Sequence, residues 1–522
     1  MKIRSQGRFS LLRTGAFGLL LSGSSRLGIV LLCALCVSCG RAASPFDFKG
    51  LRARAKAIAS RPHVPRHGEV PGWLRGLSYD QLRQIEFDGR ESLWLAEKLP
   101  FQVQFLHPGF LYDRTVLVSE VRGAQADVLP FRRAYFNYGS LREGEMPATM
   151  GFAGIRLMYP LGGASQPIRE AGSFLGASYF RFLCSGAGYG LSARGLALDT
   201  AEAVPEEFPV FTEFWLERPA SDATSVTVYA LLESESVTGA YRFSISPGET
   251  TVMGVSAVIF RRKESRVFGL APLTSMFWRG ENSNVPSDDY RPEVHDSDGL
   301  VVQNGRGEWI WRPLENPRQL RVSSFGDENP RRFGLLQRDR NFENYQDLEA
   351  GYHSRPSAWV EPVGKWGRGA VRLVELSTKD EFNDNIVVYW APEQLPPAGE
   401  PVEVEYRLHW CLDQIRPPAG YVRATRLGRS AFYEPGLERF VVDYDGSQLR
   451  EFPADAGVEH VLSVGAGAKL NHSTVQKNAI NGTWRVAFTV KPDGTGRPVE
   501  LRCFLRRGSD ALTETWSYLW QP

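Results

Sequence analysis

The sequence predicts an all-β protein built of two sandwiches, and three observations carry that expectation. Runs such as PFQVQFLHPGFLY, DRTVLVSEV, FPVFTEFWLERP, SVTVYALLES and VTGAYRFSISPG alternate apolar with polar positions, favour β-branched and aromatic residues, and stop at Gly or Pro. Helix-period apolar segments between them are scarce, which argues against a parallel α/β sheet, whose strands need crossover helices. The chain is 522 residues long and 43 % hydrophobic, enough for more than one core.

The first residues read as an export signal. Lys2, Arg4, Arg8 and Arg13 precede any acidic residue, and the apolar stretch LGIVLLCALCVSCG (27–40) has h-region length, too short to span a membrane comfortably. Its end, CVSC, approximates a lipobox that would make Cys39 a lipidated first residue, although Cys36 stands where Leu is usual. Ordinary cleavage near Ala42 or Ala43 is the alternative, so a membrane partner is expected only if Cys39 is lipidated. The whole chain carries 61 basic and 59 acidic residues. Residues 1–38 hold five of the basic ones and no acid, leaving 56 against 59, a mature charge near −3. That balance argues against a nucleic-acid partner. Cys184, Cys411 and Cys503, the cysteines clearly within the folded part, are too few and too odd in number for a disulfide framework.

After the signal (1–43), FDFKGLRARAKAIAS has helical spacing with a basic face and predicts a short docking helix ahead of the RPHVPRH turn. Strand-like runs then fill residues 44–392, a first sandwich. APEQLPPAGEP (391–401) clusters Pro and Gly where periodicity stops, giving a linker over 393–401. VEVEYRLHW, RFVVDYDG, TWRVAFTVKP and VELRCFLRR predict a smaller immunoglobulin-like unit over 402–522.

Few chemistries have a foothold. His63 and His67 are four apart, but Pro62 and Pro65 forbid the helix that would align them, and no metal site or cofactor is expected. GxSxG, GxGxxG and P-loop patterns are absent. DSD at 296–298 has the start of a calcium loop without its Gly and distal Glu. Paired carboxylates fare better. Asp296 lies in RPEVHDSDGL, and Asp384 stands immediately before the strand-like NIVVYW, where a strand end can aim an acid into a cleft. Glycoside cleavage needs two such acids, with flat apolar faces for sugar rings. GEWIWRPL, YHSRPSAWVEP and GKWGRG supply aromatics between them, though tryptophan more often fills a core and a turn aspartate more often caps backbone.

The segments LPFQVQFLHPGFLY, FLGASYFRFLCSGAGYGLSARGLALDT, EEFPVFTEFW, APLTSMFWRGEN, RPEVHDSDGL, FGLLQRDRNFENYQDLEAGYHSRPSAWVEPVGKWGRG and DNIVVYW resemble the bacterial periplasmic glucan biosynthesis family, proteins G and D, along nearly the whole mature chain. The resemblance implies a large galactose-mutarotase-like β-sandwich followed by an immunoglobulin-like domain, a periplasmic location, and action on a β-1,2-glucan backbone. Some members are similar to inverting endo-β-1,2-glucanases, whose catalytic aspartates match Asp296 and Asp384. By the same matching Tyr352, Arg355, Trp359 and Glu381 are expected to contact sugar, with His295 and Asp298 supporting Asp296. The implied mechanism is inverting hydrolysis with Asp296 as general acid and Asp384 as general base, or the reverse. A homodimer is also implied. The arginine-rich PPAGYVRATRLGR (417–429) is expected as either an exposed loop or a lid or dimer contact. A reading of another class is a non-catalytic glucan-binding or scaffold protein assisting backbone synthesis or export. A mutarotase or a lyase acting on another polysaccharide rests on fold analogy alone.

Overall fold

A computed structural model of the protein describes residues 44–522 except 65–69, 142, 143, 145, 148, 149, 164, 284–287, 413, 414 and 430–435. The export signal, Cys39 and His67 therefore lie outside the described residues.

The expected helix forms over Phe48–Ala59. Asp47 caps it by accepting the Gly50 N–H at 2.6 Å. Leu51 and Ala55 bury against Trp215, Leu231, Ala240, Val258 and Phe260 on the outer face of the main sheet. Thr238 Oγ1 donates to the Ala55 carbonyl at 2.8 Å, and Arg54 pairs with Glu213.

Among the described residues the main sheet has 16 strands and includes, in spatial order, Leu117–Arg122, Val210–Glu217, Val226–Glu233, Val237–Ser246, Thr250–Arg261, Pro401–Cys411, Ser357–Pro362, Arg332–Leu336, Gly299–Gln303, Trp309–Pro313, Thr515–Trp520 and Val499–Arg507. It is mixed. Leu117–Arg122 runs parallel to Val210–Glu217, and Trp309–Pro313 runs parallel to Thr515–Trp520. A second sheet, of 10 strands among the described residues, faces it, and the period-two alternation sends one set of side chains from each into a common core. Tyr241, Phe243, Ile245, Met253 and Val255 come from the main sheet; Phe174, Phe180, Leu273, Val371, Leu373, Ile386 and Val388 come from the second. Each fully buried side chain of this size contributes about 1.5–3 kcal/mol relative to exposure.

A second core forms where the four-stranded sheet Tyr421–Gly428, Glu438–Asp445, Trp484–Pro492 and Ala468–Lys477 covers the far end of the main sheet. Phe440 and Phe488 stack there with ring centroids 5.1 Å apart, flanked by Trp516 and Tyr518. Strands Gly299–Gln303, Trp309–Pro313 and Arg332–Leu336 serve both cores. Leu300, Val302, Ile310, Phe333 and Leu335 face the first; Val301, Trp309, Trp311 and Leu336 face the second. That two-sided burial explains the near-continuous apolar runs GLVV and IW. Gly299 is needed for its size: a Cβ there would meet the Trp311 ring at 2.3 Å.

Two segments differ from their sequence reading. VEVEYRLHW lies in strand Pro401–Cys411, which pairs along its length with Thr250–Arg261 on one side and Ser357–Pro362 on the other. The chain thus leaves the main sheet only after Cys411; an alternating strand reads the same whichever sheet receives it. PPAGYVRATRLGR is not a loop throughout, because Tyr421–Gly428 is a strand. Thr425 N–H donates to Glu281 at 2.6 Å, and Arg426 pairs with Glu281 and Asp443 while its side chain stays exposed to solvent. Cys184, Cys411 and Cys503 are buried thiols.

Candidate active site

The site gathers around one short segment, Ser275–Phe277, where a strand of the second sheet ends at Ser275 and the short strand Phe277–Arg279 begins. On one edge, the Asp296 N–H donates to the Met276 carbonyl at 2.8 Å, and Phe277 pairs with His295. On the other edge, Ser275 pairs with Ile386, while the Asn385 side-chain amide accepts from Phe277 N–H at 2.8 Å and donates to the Phe277 carbonyl at 3.0 Å. Asp296 and Asp384 therefore flank the same segment.

Their surroundings differ. Asp296 is buried, and its carboxylate accepts from Arg355 Nη1. Burial pushes the Asp296 carboxyl up from its ordinary range, Arg355 pulls it down, and the charge of Asp384 pushes it up further. Asp384 is exposed. Arg355 is itself aimed by two hydrogen bonds to the Ala350 carbonyl, at 3.2 and 3.1 Å, and lies 4.2 Å from the centroid of the Tyr352 ring. Tyr352 donates its hydroxyl to Glu381, which also receives Arg291 Nη1 at 2.7 Å.

Behind Asp296, His295 lies flat against Phe277, with ring centroids 5.2 Å apart and planes at 16°. Both ring nitrogens face acceptors, Nε2 at 2.9 Å from Glu293 and Nδ1 at 2.9 Å from Gln337 Oε1, with Asp298 at 3.3 Å. Gln337 is oriented by donating from its amide to the His295 and Tyr352 carbonyls, which turns its oxygen toward the ring. Burial by itself would lower the His295 pKa, but Glu293 and Asp298 outweigh it and push it up to about 9, so the ring is an imidazolium at neutral pH. Asp298 is pushed up to about 6 by burial, against the pull of His295; its carboxylate accepts the Arg338 and Asp339 N–H groups, the latter at 2.7 Å.

A pH dependence follows. The raised His295 pKa stabilises the fold fully below about pH 6.5, and that contribution is lost as pH rises through about 9. Asp298 acts in the same direction lower down, since the folded chain keeps until about pH 6 a proton that the unfolded chain releases near 3.8. Urea unfolding is expected to give a free energy lower at pH 9 than at pH 6.5 by on the order of 3 kcal/mol, and His295→Gln should flatten that interval. A wild-type profile without this fall would exclude the charged imidazole.

Of the residues singled out from sequence, the fold brings Asp296, Arg355, Tyr352, Glu381, His295 and Asp298 into one bonded network, with Asp384 within electrostatic reach of Asp296. Trp359 stands apart from that network. On strand Ser357–Pro362 it points away from the core reached by Ala358 and Val360, stacking on His409 with centroids 3.7 Å apart beneath Arg332. Residues not singled out are Arg291, Glu293, Gln337 and Asn385, together with Tyr179 and Arg181. The last two face the site's charges from strand Tyr179–Phe182: Tyr179 feels Asp384, and Arg181 favours the ionised form of Asp296. Their period-two spacing between core residues Phe180 and Phe182 is the signal that marks them. Among the described residues, no group of three or more His, Cys, Asp or Glu side chains is placed to hold a metal ion.

Fold and site together define a two-core β-protein with paired acids, arginines and aromatic residues gathered at the ends of its strands. Comparison with known proteins places it further: residues 46–520 match the family model described as "Periplasmic glucan biosynthesis protein, MdoG", and the chain belongs to that family. It is 46 % identical over 497 residues to glucans biosynthesis protein G of Ralstonia nicotianae, covering 94 % of this chain and 98 % of the relative. Glucans biosynthesis protein D 1 of the same organism is 45 % identical over 92 % of both chains. Protein G of Rhodopseudomonas palustris is 45 % identical over 91 % of this chain and 94 % of its own. This is accordingly a protein of periplasmic glucan biosynthesis, and family membership implies interaction with glucan. Among the described residues no helix is long and apolar enough to cross a membrane.

Proposed function

We propose that the protein hydrolyses the β-1,2-linked glucan backbone endolytically with inversion, using Asp296 and Asp384 as its acid–base pair. The observation that carries this reading is that the two acids come from segments held on either side of Ser275–Phe277, near enough for the charge of Asp384 to push the Asp296 carboxyl up; inversion needs carboxyl groups about 6.5–9.5 Å apart with an intervening water. The upward push on the buried Asp296 carboxyl supports it as the proton donor, and exposed Asp384 is then the base that activates water. Tyr290 and Phe382 are 73 % and 86 % exposed beside Arg291 and Glu381, offering ring faces to sugars at the same place. Tyr352, Arg355, Glu381 and Trp359 are the proposed sugar-contacting side chains.

The Arg355–Asp296 contact favours a second reading, because an acid held by a guanidinium is a poorer proton donor. On that reading the protein binds glucan and assists its assembly or export without cleaving it. Incubation with linear β-1,2-glucan separates the two. Chromatography should show shorter oligosaccharides, and the first product should carry the α-anomeric configuration at its new reducing end. Retention of glucan by the protein with no product would establish the second reading.

A further inference from the structure

Asp384 sits on a loop that leaves strand Arg368–Glu375 and returns at Ile386, and exposure gives the carboxylate no packing of its own. Something else must hold that loop at its distance from Asp296. Asn385 fixes its end, and Asn316 accepts from Thr378 N–H at 2.9 Å to fix its start. Its middle is held at Glu381 by the Tyr352 hydroxyl and by a cation from the segment that carries the other acid.

Arg291 lies five residues before Asp296, and Glu381 lies three before Asp384. The Arg291 guanidinium is mostly buried and meets three carboxylates: Asp289, with Nη2 at 2.7 Å from Oδ2; Asp347, at 2.7 Å; and Glu381, at 2.7 Å. Its own carbonyl accepts from Arg279 Nη2 at 2.5 Å, and the next carbonyl, of Pro292, accepts from Arg279 Nε at 3.3 Å. Asp347 accepts the Glu349 and Ala350 N–H groups at 2.9 and 2.7 Å, and the Ala350 carbonyl receives Arg355, which holds Asp296. The connections therefore run from Asp296 through Arg355, Ala350 and Asp347 to Arg291, then through Glu381 to the loop bearing Asp384. One guanidinium joins both halves. Its five-donor fork satisfies all three acids, a geometry an ammonium cannot reproduce.

We propose that Arg291 is a positioning residue that sets the separation of Asp296 and Asp384 by clamping Glu381. This rests on the reading of those two aspartates as the working pair. Without the guanidinium, Asp289, Asp347 and Glu381 repel one another, and Glu381 pivots outward about its remaining Tyr352 contact, so that the loop carries Asp384 with it. A misplacement of about 1 Å in a reacting group costs on the order of 10²-fold in rate.

The test uses the full mature chain carrying Arg291→Met, Arg291→Lys, Glu381→Gln and the Arg291→Met/Glu381→Gln double substitution. On linear β-1,2-glucan, Arg291→Met should lower kcat by about 10²-fold with KM changed by less than about threefold, and Arg291→Lys should recover only part of that loss. The double variant should be little worse than either single one, because both remove the same clamp. A kcat within about threefold of wild type for Arg291→Met would overturn the proposal, as would losses that multiply in the double variant. Crystal structures read the same question without activity: the Asp296–Asp384 carboxyl distance should change by about 1 Å or more in Arg291→Met, and an unchanged distance would overturn the clamp. A wild-type protein that releases no product would refute the hydrolytic reading while leaving that distance to decide the clamp.

Discussion

Asp384→Asn is expected to lower the rate of oligosaccharide release from linear β-1,2-glucan by about 10²–10⁴-fold, the usual contribution of a general acid or base. Folding stability should stay within about 0.5 kcal/mol of wild type, because the side chain is exposed at the site mouth. Loss of rate without loss of fold is what separates a working carboxylate from a structural one. Asp296→Asn should lose rate to a similar extent, but with a measurable fall in stability, because Arg355 then faces a neutral amide inside the protein. A β-1,2-linked substrate with an aryl leaving group divides the roles. Leaving-group departure then needs little protonation, so the variant lacking the acid recovers rate and the variant lacking the base does not. Recovery is expected for Asp296→Asn, and recovery of Asp384→Asn instead would reverse the assignment. Undiminished release by both variants would remove the pair from the mechanism.

Glu514→Ala should destabilise the protein by about 3–5 kcal/mol in urea unfolding, the usual result of stripping one partner from a buried ion pair. Glu514 and Arg338 are both buried where the two cores meet. The carboxylate receives Arg338 Nη2 at 3.1 Å and the Val422 N–H at 2.7 Å, while Arg338 donates to the Val422 carbonyl at 2.9 Å and stacks 3.6 Å from the centroid of the Trp311 ring. Arg338 also gives its backbone N–H to Asp298, so the same residue ties the four-stranded sheet to the support behind Asp296. Replacing both partners with apolar side chains, Arg338→Met with Glu514→Leu, should recover much of the loss, since the largest cost is an unpaired buried charge. A single-variant loss below about 1 kcal/mol would mean that water reaches this junction.

The fold class was legible because alternation is a local property. Phe243, Ile245, Val255 and Ala257 announce a strand face whatever lies opposite. The two proposed acids are picked out in the sequence by motifs, RPEVHDSDGL and the residues ahead of NIVVYW, since each sits in a short self-contained stretch. Arg291 begins the first of those stretches, but its role was not legible there, because two of the three carboxylates that give it meaning lie 56 and 90 residues away. Strand Pro401–Cys411 shows the same limit in the fold: its alternation is plain, but membership of the main sheet depends on pairing with Thr250–Arg261, about 150 residues earlier.

Local chemistry therefore settles which segments extend, which faces are apolar, where turns fall and which residue types are available to a site. Tertiary pairing settles the rest. It makes Val301, Trp309, Trp311 and Leu336 line a second core while their strand neighbours line the first. It sets Asp296 and Asp384 on opposite edges of Ser275–Phe277, and gives His295 the two carboxylates that hold its charge. The physical reason is range. A strand's periodicity is written in bonds and sterics over a few residues, whereas register between strands, burial of a carboxyl and the field at an imidazole come from groups distant in the chain.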